Sequence, residues 1–122
     1  MNDQDLQYFK GKLEEEFKVL VGELKSVGHV NKNNPKDWEP SAPKPHASRA
    51  DNNENADLIE EYEENTAILK DLEIRFNNVK DALARIEGGS FGTCNKGEEQ
   101  IERERLEANP AATTCIAHKD EA

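Results

Sequence analysis

Apolar residues near the start of the chain recur at Leu6, Phe9, Leu13, Phe17, Leu20, Leu24 and Val27, in steps of 3, 4, 4, 3, 4 and 3. That spacing keeps all seven on one stripe and predicts an amphipathic helix over about residues 4–27. The 3-4-4 stretch is an eleven-residue unit, where strict heptad winding should relax. Gly28 follows the last apolar position and is placed to end the helix as a left-handed cap. A second stripe comprises Leu58, Tyr62, Leu69, Leu72, Phe76, Val79, Leu83 and Ile86. From Leu69 onward its steps alternate between 3 and 4, a heptad seam. Asn65 fills the place ahead of that seam, a polar interruption able to fix register. This second helix is expected over about residues 53–87, with Gly88 and Gly89 as its stop.

Between the stripes the pattern is lost. Pro35, Pro40, Pro43 and Pro45 fall there among Asn, Lys and Ser, which predicts a long tip loop over residues 28–52. Trp38, the only tryptophan, is expected to pin that loop onto a neighbouring helix. Two amphipathic helices joined in this way bury their stripes against each other or against another chain. The economical arrangement is an antiparallel coiled-coil hairpin. The expected fold is therefore all-α: a hairpin over residues 1–89 with a long Pro-rich tip, then a small module over residues 90–122.

Charge narrows the function. Against 16 basic side chains stand 26 acidic ones, a net charge of −10 over 122 residues. Such an excess repels phosphates and argues against direct nucleic-acid binding. No apolar run approaches the roughly 20 residues that span a bilayer, and Met1–Phe17 lacks a secretory apolar core. A cytoplasmic protein without membrane contact is expected. Two cysteines in such a chain read as thiols or metal ligands before they read as a structural disulfide.

Both cysteines lie in the C-terminal module. Cys94 and Cys115 are 21 residues apart, and His118 completes a Cys-x-x-His pair, half of a familiar zinc arrangement. The other half, Cys94-Asn-Lys-Gly97, ends in glycine where a second thiolate is expected. Two readings follow. Zinc is held by Cys94, Cys115 and His118, with water or a nearby carboxylate such as Glu98 in fourth place. Alternatively no metal binds, packing holds the module, and the cysteines lie close enough for a disulfide under oxidation. Nothing supplies a substrate pocket, a nucleophile triad or a phosphate loop, so no enzymatic activity is expected. His29 and His46 read as solvated loop residues, and Arg103 and Arg105 as ion-pair partners of the surrounding glutamates.

The run Ala82-Leu-Ala-Arg-Ile-Glu-Gly-Gly-Ser-Phe-Gly-Thr-Cys94 and the stretch Arg105-Leu-Glu-Ala-Asn-Pro-Ala-Ala-Thr-Thr-Cys115-Ile-Ala-His118-Lys119 resemble the DksA/TraR family of zinc-finger transcription regulators. The resemblance implies four zinc-ligand positions at the base of a coiled-coil hairpin, falling here on Cys94, Gly97, Cys115 and His118. It also implies a tip that enters the secondary channel of bacterial RNA polymerase and carries an Asp-x-x-Asp-x-Ala motif near the active centre. Counted back from Cys94, that motif falls on Asp51, Glu54 and Ala56. Asp51 with Glu54 also resembles a helix capping box, but the acids continue through Asp57, Glu60, Glu61 and Glu63 to Glu64, beyond any capping need. On this resemblance the protein is a monomeric regulator that contacts polymerase without binding DNA. Asn109 stands where an arginine is common, which argues against a ppGpp response, although Lys119 is kept. The rival reading is a coiled-coil interaction or dimerisation module whose zinc finger is purely structural. A size measurement separates the two in part.

Overall fold

The structure, a computed structural model, describes residues 1–41 and 52–121, the side chains of 35, 36, 52–55 and 121 excepted. Its elements in order are helix α1 (Asp3–Val27), strands β1 (Gly28–Asn31) and β2 (Asn34–Pro40), helix α2 (Asn52–Gly88), short helix α3 (Arg103–Ala108) and a 3-10 turn (Ile116–Glu121). The chain divides into two compact units. One comprises residues 1–19 and 76–122, the other residues 20–75.

In the first unit the opening part of α1 and the closing part of α2 run in opposite directions. Lys10 meets Glu87 at 3.4 Å, while the rings of Phe17 and Phe76 lie 5.0 Å apart. Phe9, Leu13, Val79 and Ala82 are buried there, together with Phe91, Ile101, Leu106, Ala111 and Ala112 from the C-terminal module. Phe9 bridges helix and module, its ring 5.8 Å from that of Phe91. The helix α2 ends because Gly89 takes φ +82°, a conformation that costs glycine little. Ser90 N–H then reaches the Arg85 carbonyl (3.0 Å) and Gly89 N–H that of Ile86 (3.4 Å), which satisfies the last turn as a Schellman cap.

The second unit departs from the all-α expectation. Residues 28–40, expected to begin the tip loop, form a two-stranded antiparallel ribbon, with Gly28 opposite Pro40, His29 opposite Glu39 and Val30 opposite Trp38. The connection is tight because the Asn31 side chain accepts from Asn33 N–H (2.8 Å) and donates to Glu39 (2.8 Å). Gly28 is not a left-handed cap. It opens β1, buried against α2, where an added Cβ would lie 2.6 Å from the Glu39 carbonyl oxygen and 2.8 Å from Leu69 Cδ1. Trp38 does tie the ribbon to α2, but through its backbone N–H, which donates to Glu73 Oε1 at 3.0 Å. Leu20, Leu24, Leu69 and Leu72 are buried in this unit. Tyr62 is the one member of either stripe that stays exposed. No helix among the described residues is long and apolar enough to cross a membrane.

Candidate metal centre

The module after α2 is built from two tight turns that present Cys94 and Cys115. In the first, Glu98 N–H returns to the Cys94 carbonyl (3.0 Å) and Cys94 N–H donates to the Glu99 carbonyl (2.8 Å). Thr93 and Gln100 bridge across its base, and Ile101 N–H closes onto the Gly92 carbonyl at 2.7 Å. Asn95 N–H reaches the Thr113 carbonyl at 2.9 Å, locking the first turn to the segment before Cys115. That segment is held in turn by Arg105, whose guanidinium donates to the backbone and hydroxyl oxygens of buried Thr114. His118 N–H donates to the Cys115 carbonyl (3.1 Å), the one-turn geometry that Cys-x-x-His spacing requires.

These turns bring four potential donors together. Cys94, Glu99, Cys115 and His118 each offer one atom, and the four atoms lie within 4.8 Å of one another. His118 Nδ1 is 3.6 Å from Cys94 Sγ, 3.1 Å from Cys115 Sγ and 2.7 Å from Glu99 Oε1. Cys115 Sγ donates to Glu99 Oε1 at 2.9 Å. The cysteines are buried, whereas His118 and Glu99 retain 30% and 45% side-chain exposure. Two thiols, one imidazole and one carboxylate form a donor set suited to zinc. Bonds of about 2.0–2.3 Å in a tetrahedron separate ligand atoms by roughly 3.3–3.8 Å. The four separations given above run from 2.7 to 3.6 Å and no pair exceeds 4.8 Å, so shifts of roughly 1 Å or less bring the donors to that spacing, and these residues fit the ion.

Electrostatics prepares the cysteines unequally. Burial opposes charge on Cys94, but backbone N–H groups of Cys115, Gly97 and Lys96, with the Cys115 side chain, together hold its thiol below the ordinary range. Cys115 is pushed up to about 11, chiefly because its thiol donates to Glu99 and also because it is buried. For His118 burial works downward, yet the hydrogen bond the protonated ring donates to Cys94 and the charge of Glu99 carry the imidazole above its usual value. Glu99 is lowered mainly by the Cys115 hydrogen bond. Metal binding would displace the shared protons, as deprotonated ligands require.

Cys94, Cys115 and His118 are thus brought to one place. Gly97 lies beside them without a donor. The carboxylate that joins them is that of Glu99, not Glu98. Glu98 adopts φ +62°, and its side chain is exposed outside the cluster. That turn conformation decides which of two adjacent glutamates faces inward, and spacing alone does not carry it. Of the tip residues, Asp51 lies outside the described residues. Glu54 belongs to the first turn of α2 with its side chain likewise outside them, and Ala56 is exposed. The acids Asp57, Glu60, Glu61, Glu63 and Glu64 are exposed, and none has an ion-pair partner among the described residues.

No protein-family model matches the chain. It is 28% identical over 123 residues to the uncharacterized protein YteA of Bacillus subtilis, covering 99% of this chain and 50% of that protein. The chain therefore spans half the length of YteA. It is 30% identical over 125 residues to the RNA polymerase-binding transcription factor DksA of Caulobacter vibrioides, covering 95% of this chain and 74% of that protein. The chain belongs to the DksA family. Two solved structures share the DksA fold. Transcription factor DksA2 of Pseudomonas aeruginosa superposes with a TM-score of 0.63 at 20% identity, covering 98% of this chain and 84% of that one. The RNA polymerase-binding regulator Dks of Chlamydia trachomatis gives 0.53 at 19% identity, covering 99% and 90%.

Proposed function

We infer that this protein is a transcription regulator that binds bacterial RNA polymerase by protein contact, inserting an acidic tip through the secondary channel towards the active centre. The observation that carries this reading is the 30% identity to DksA along 95% of the chain. The exposed acids at the start of α2 support it, since their charge is uncompensated within the described residues. A run of like charge on a helix is disfavoured on its own and favourable against a cationic partner. The residues we assign to the tip are Asp51, Glu54 and Ala56. A carboxylate delivered to a basic, Mg²⁺-binding cleft alters it electrostatically and needs no chemistry of its own. In this reading the protein is not an enzyme, does not bind DNA and acts as a cytoplasmic monomer. Zinc, where bound, fixes the geometry of the module.

Co-purification with bacterial core polymerase tests the reading directly. Retention of polymerase by the parent chain is expected, and failure to retain it overturns the reading. A second reading has one observation in its favour: Ile59, Ile68 and Ile74 are exposed along α2, as on a helix that pairs with another chain. An obligate dimer in solution would favour that module, and a monomer the regulator.

A further inference from the structure

The glycine that interrupts the metal motif and the glutamate that joins the cluster are two residues apart, and they compete for one space. A Cβ added at Gly97 would overlap the Glu99 carboxylate, striking both of its oxygens. The carboxylate therefore occupies the volume into which a side chain at position 97 would project. From there Glu99 Oε1 contacts Cys115 Sγ at 2.9 Å and His118 Nδ1 at 2.7 Å, two of the three remaining donors. The backbone enforces the arrangement. Glu98 turns through φ +62°, and the Glu99 carbonyl accepts from Cys94 N–H, so the glutamate is anchored to the first cysteine itself.

We propose that the metal centre of this protein is a two-cysteine, histidine, glutamate site in which Glu99 reaches back over Gly97 to supply the fourth donor. The glycine is then part of the site, because a Cβ there displaces the carboxylate from its place against Cys115 and His118. Zinc accepts carboxylate oxygen beside thiolate and imidazole. The exchange of thiolate for carboxylate keeps the same ligand charge and removes one oxidisable sulfur. It also places a half-exposed group in the fourth position, the ligand with readiest access to water.

The test uses the full chain and metal alone, independently of any effect on transcription. Zn²⁺ stoichiometry and affinity are measured by chelator competition, and the Co²⁺ form is examined by its thiolate charge-transfer absorption. The parent should bind one zinc, with a Co²⁺ spectrum of two thiolates. Glu99→Gln should weaken binding by at least about 100-fold, beyond the roughly 10- to 100-fold typical of losing an outer-shell partner. Gly97→Ala is the sharper variant. It removes no donor and, since Gly97 lacks a left-handed φ, adds no backbone strain, yet it should weaken zinc binding comparably. Gly97→Cys should bind zinc with three thiolates, and adding Glu99→Gln to it should change affinity by less than about threefold. That double variant also shows by circular dichroism that the module folds without the glutamate. Parent-like zinc affinity in Glu99→Gln and Gly97→Ala, or no zinc in the parent, overturns the proposal. Failure here leaves polymerase binding to be judged by its own assay.

Discussion

At the residue scale, one cluster of charges joins α1 to α3. Arg103 pairs with Asp5, and Glu107 accepts from the Tyr8 hydroxyl (2.7 Å) and Lys12 Nζ (3.0 Å). The Arg103 hydrogen bond holds Asp5 below the usual aspartate value of 3.8. Tyr8 and then Lys12 hold Glu107 below the usual 4.5. Both carboxyls are more acidic folded than unfolded, so the unfolded chain takes up protons first as pH falls. Their contribution is complete above about pH 5 and is lost as pH drops through those ordinary values towards the folded ones. Denaturant midpoints measured against pH should therefore decline in that window, and Asp5→Asn with Glu107→Gln should flatten the decline. An unchanged slope would remove these pairs from the account. At neutral pH the same variants should cost little, because the partners are substantially exposed. None of these partnerships is legible in sequence. Asp5 and Arg103 are 98 positions apart, and the tertiary packing that includes Phe9 against Phe91 brings them together.

At the scale of elements, periodicity sustained over many turns was readable and short irregular structure was not. Leu13, Leu20, Leu24, Leu69 and Val79 are buried as their 3-4 spacing implies, because a helix integrates the signal over its whole length. The ribbon offered four residues in one strand and a proline-bearing seven in the other, too few and too polar to show alternation. Gly28 was visible as a glycine, but its reason is contact: the Glu39 carbonyl and Leu69 leave no room for a methyl group. Gly28→Ala should destabilise the protein by about 1–3 kcal/mol, the usual cost of overpacking, with Gly22→Ala neutral or stabilising in comparison. Equal denaturation midpoints for the two variants would contradict the close packing of β1. The metal site divides in the same way. Cys-x-x-His is a local pattern and could be read, whereas Glu99 depends on the backbone turn at Glu98.

At the scale of the molecule, the net charge of −10 and the family relationship are the grounds for the proposed action through a protein partner. The C-terminal module assembles buried cysteines, while the described acids at the start of α2 are exposed. We assign the regulatory effect proposed above to Asp51 and Glu54, both far in sequence from the metal residues. The most direct measurement is transcription in vitro by bacterial RNA polymerase, comparing the parent with the Asp51→Asn, Glu54→Gln double variant at matched polymerase occupancy. The account predicts unaltered helix content and polymerase binding with loss of the effect on transcript yield. An effect of parental size from the double variant would contradict it.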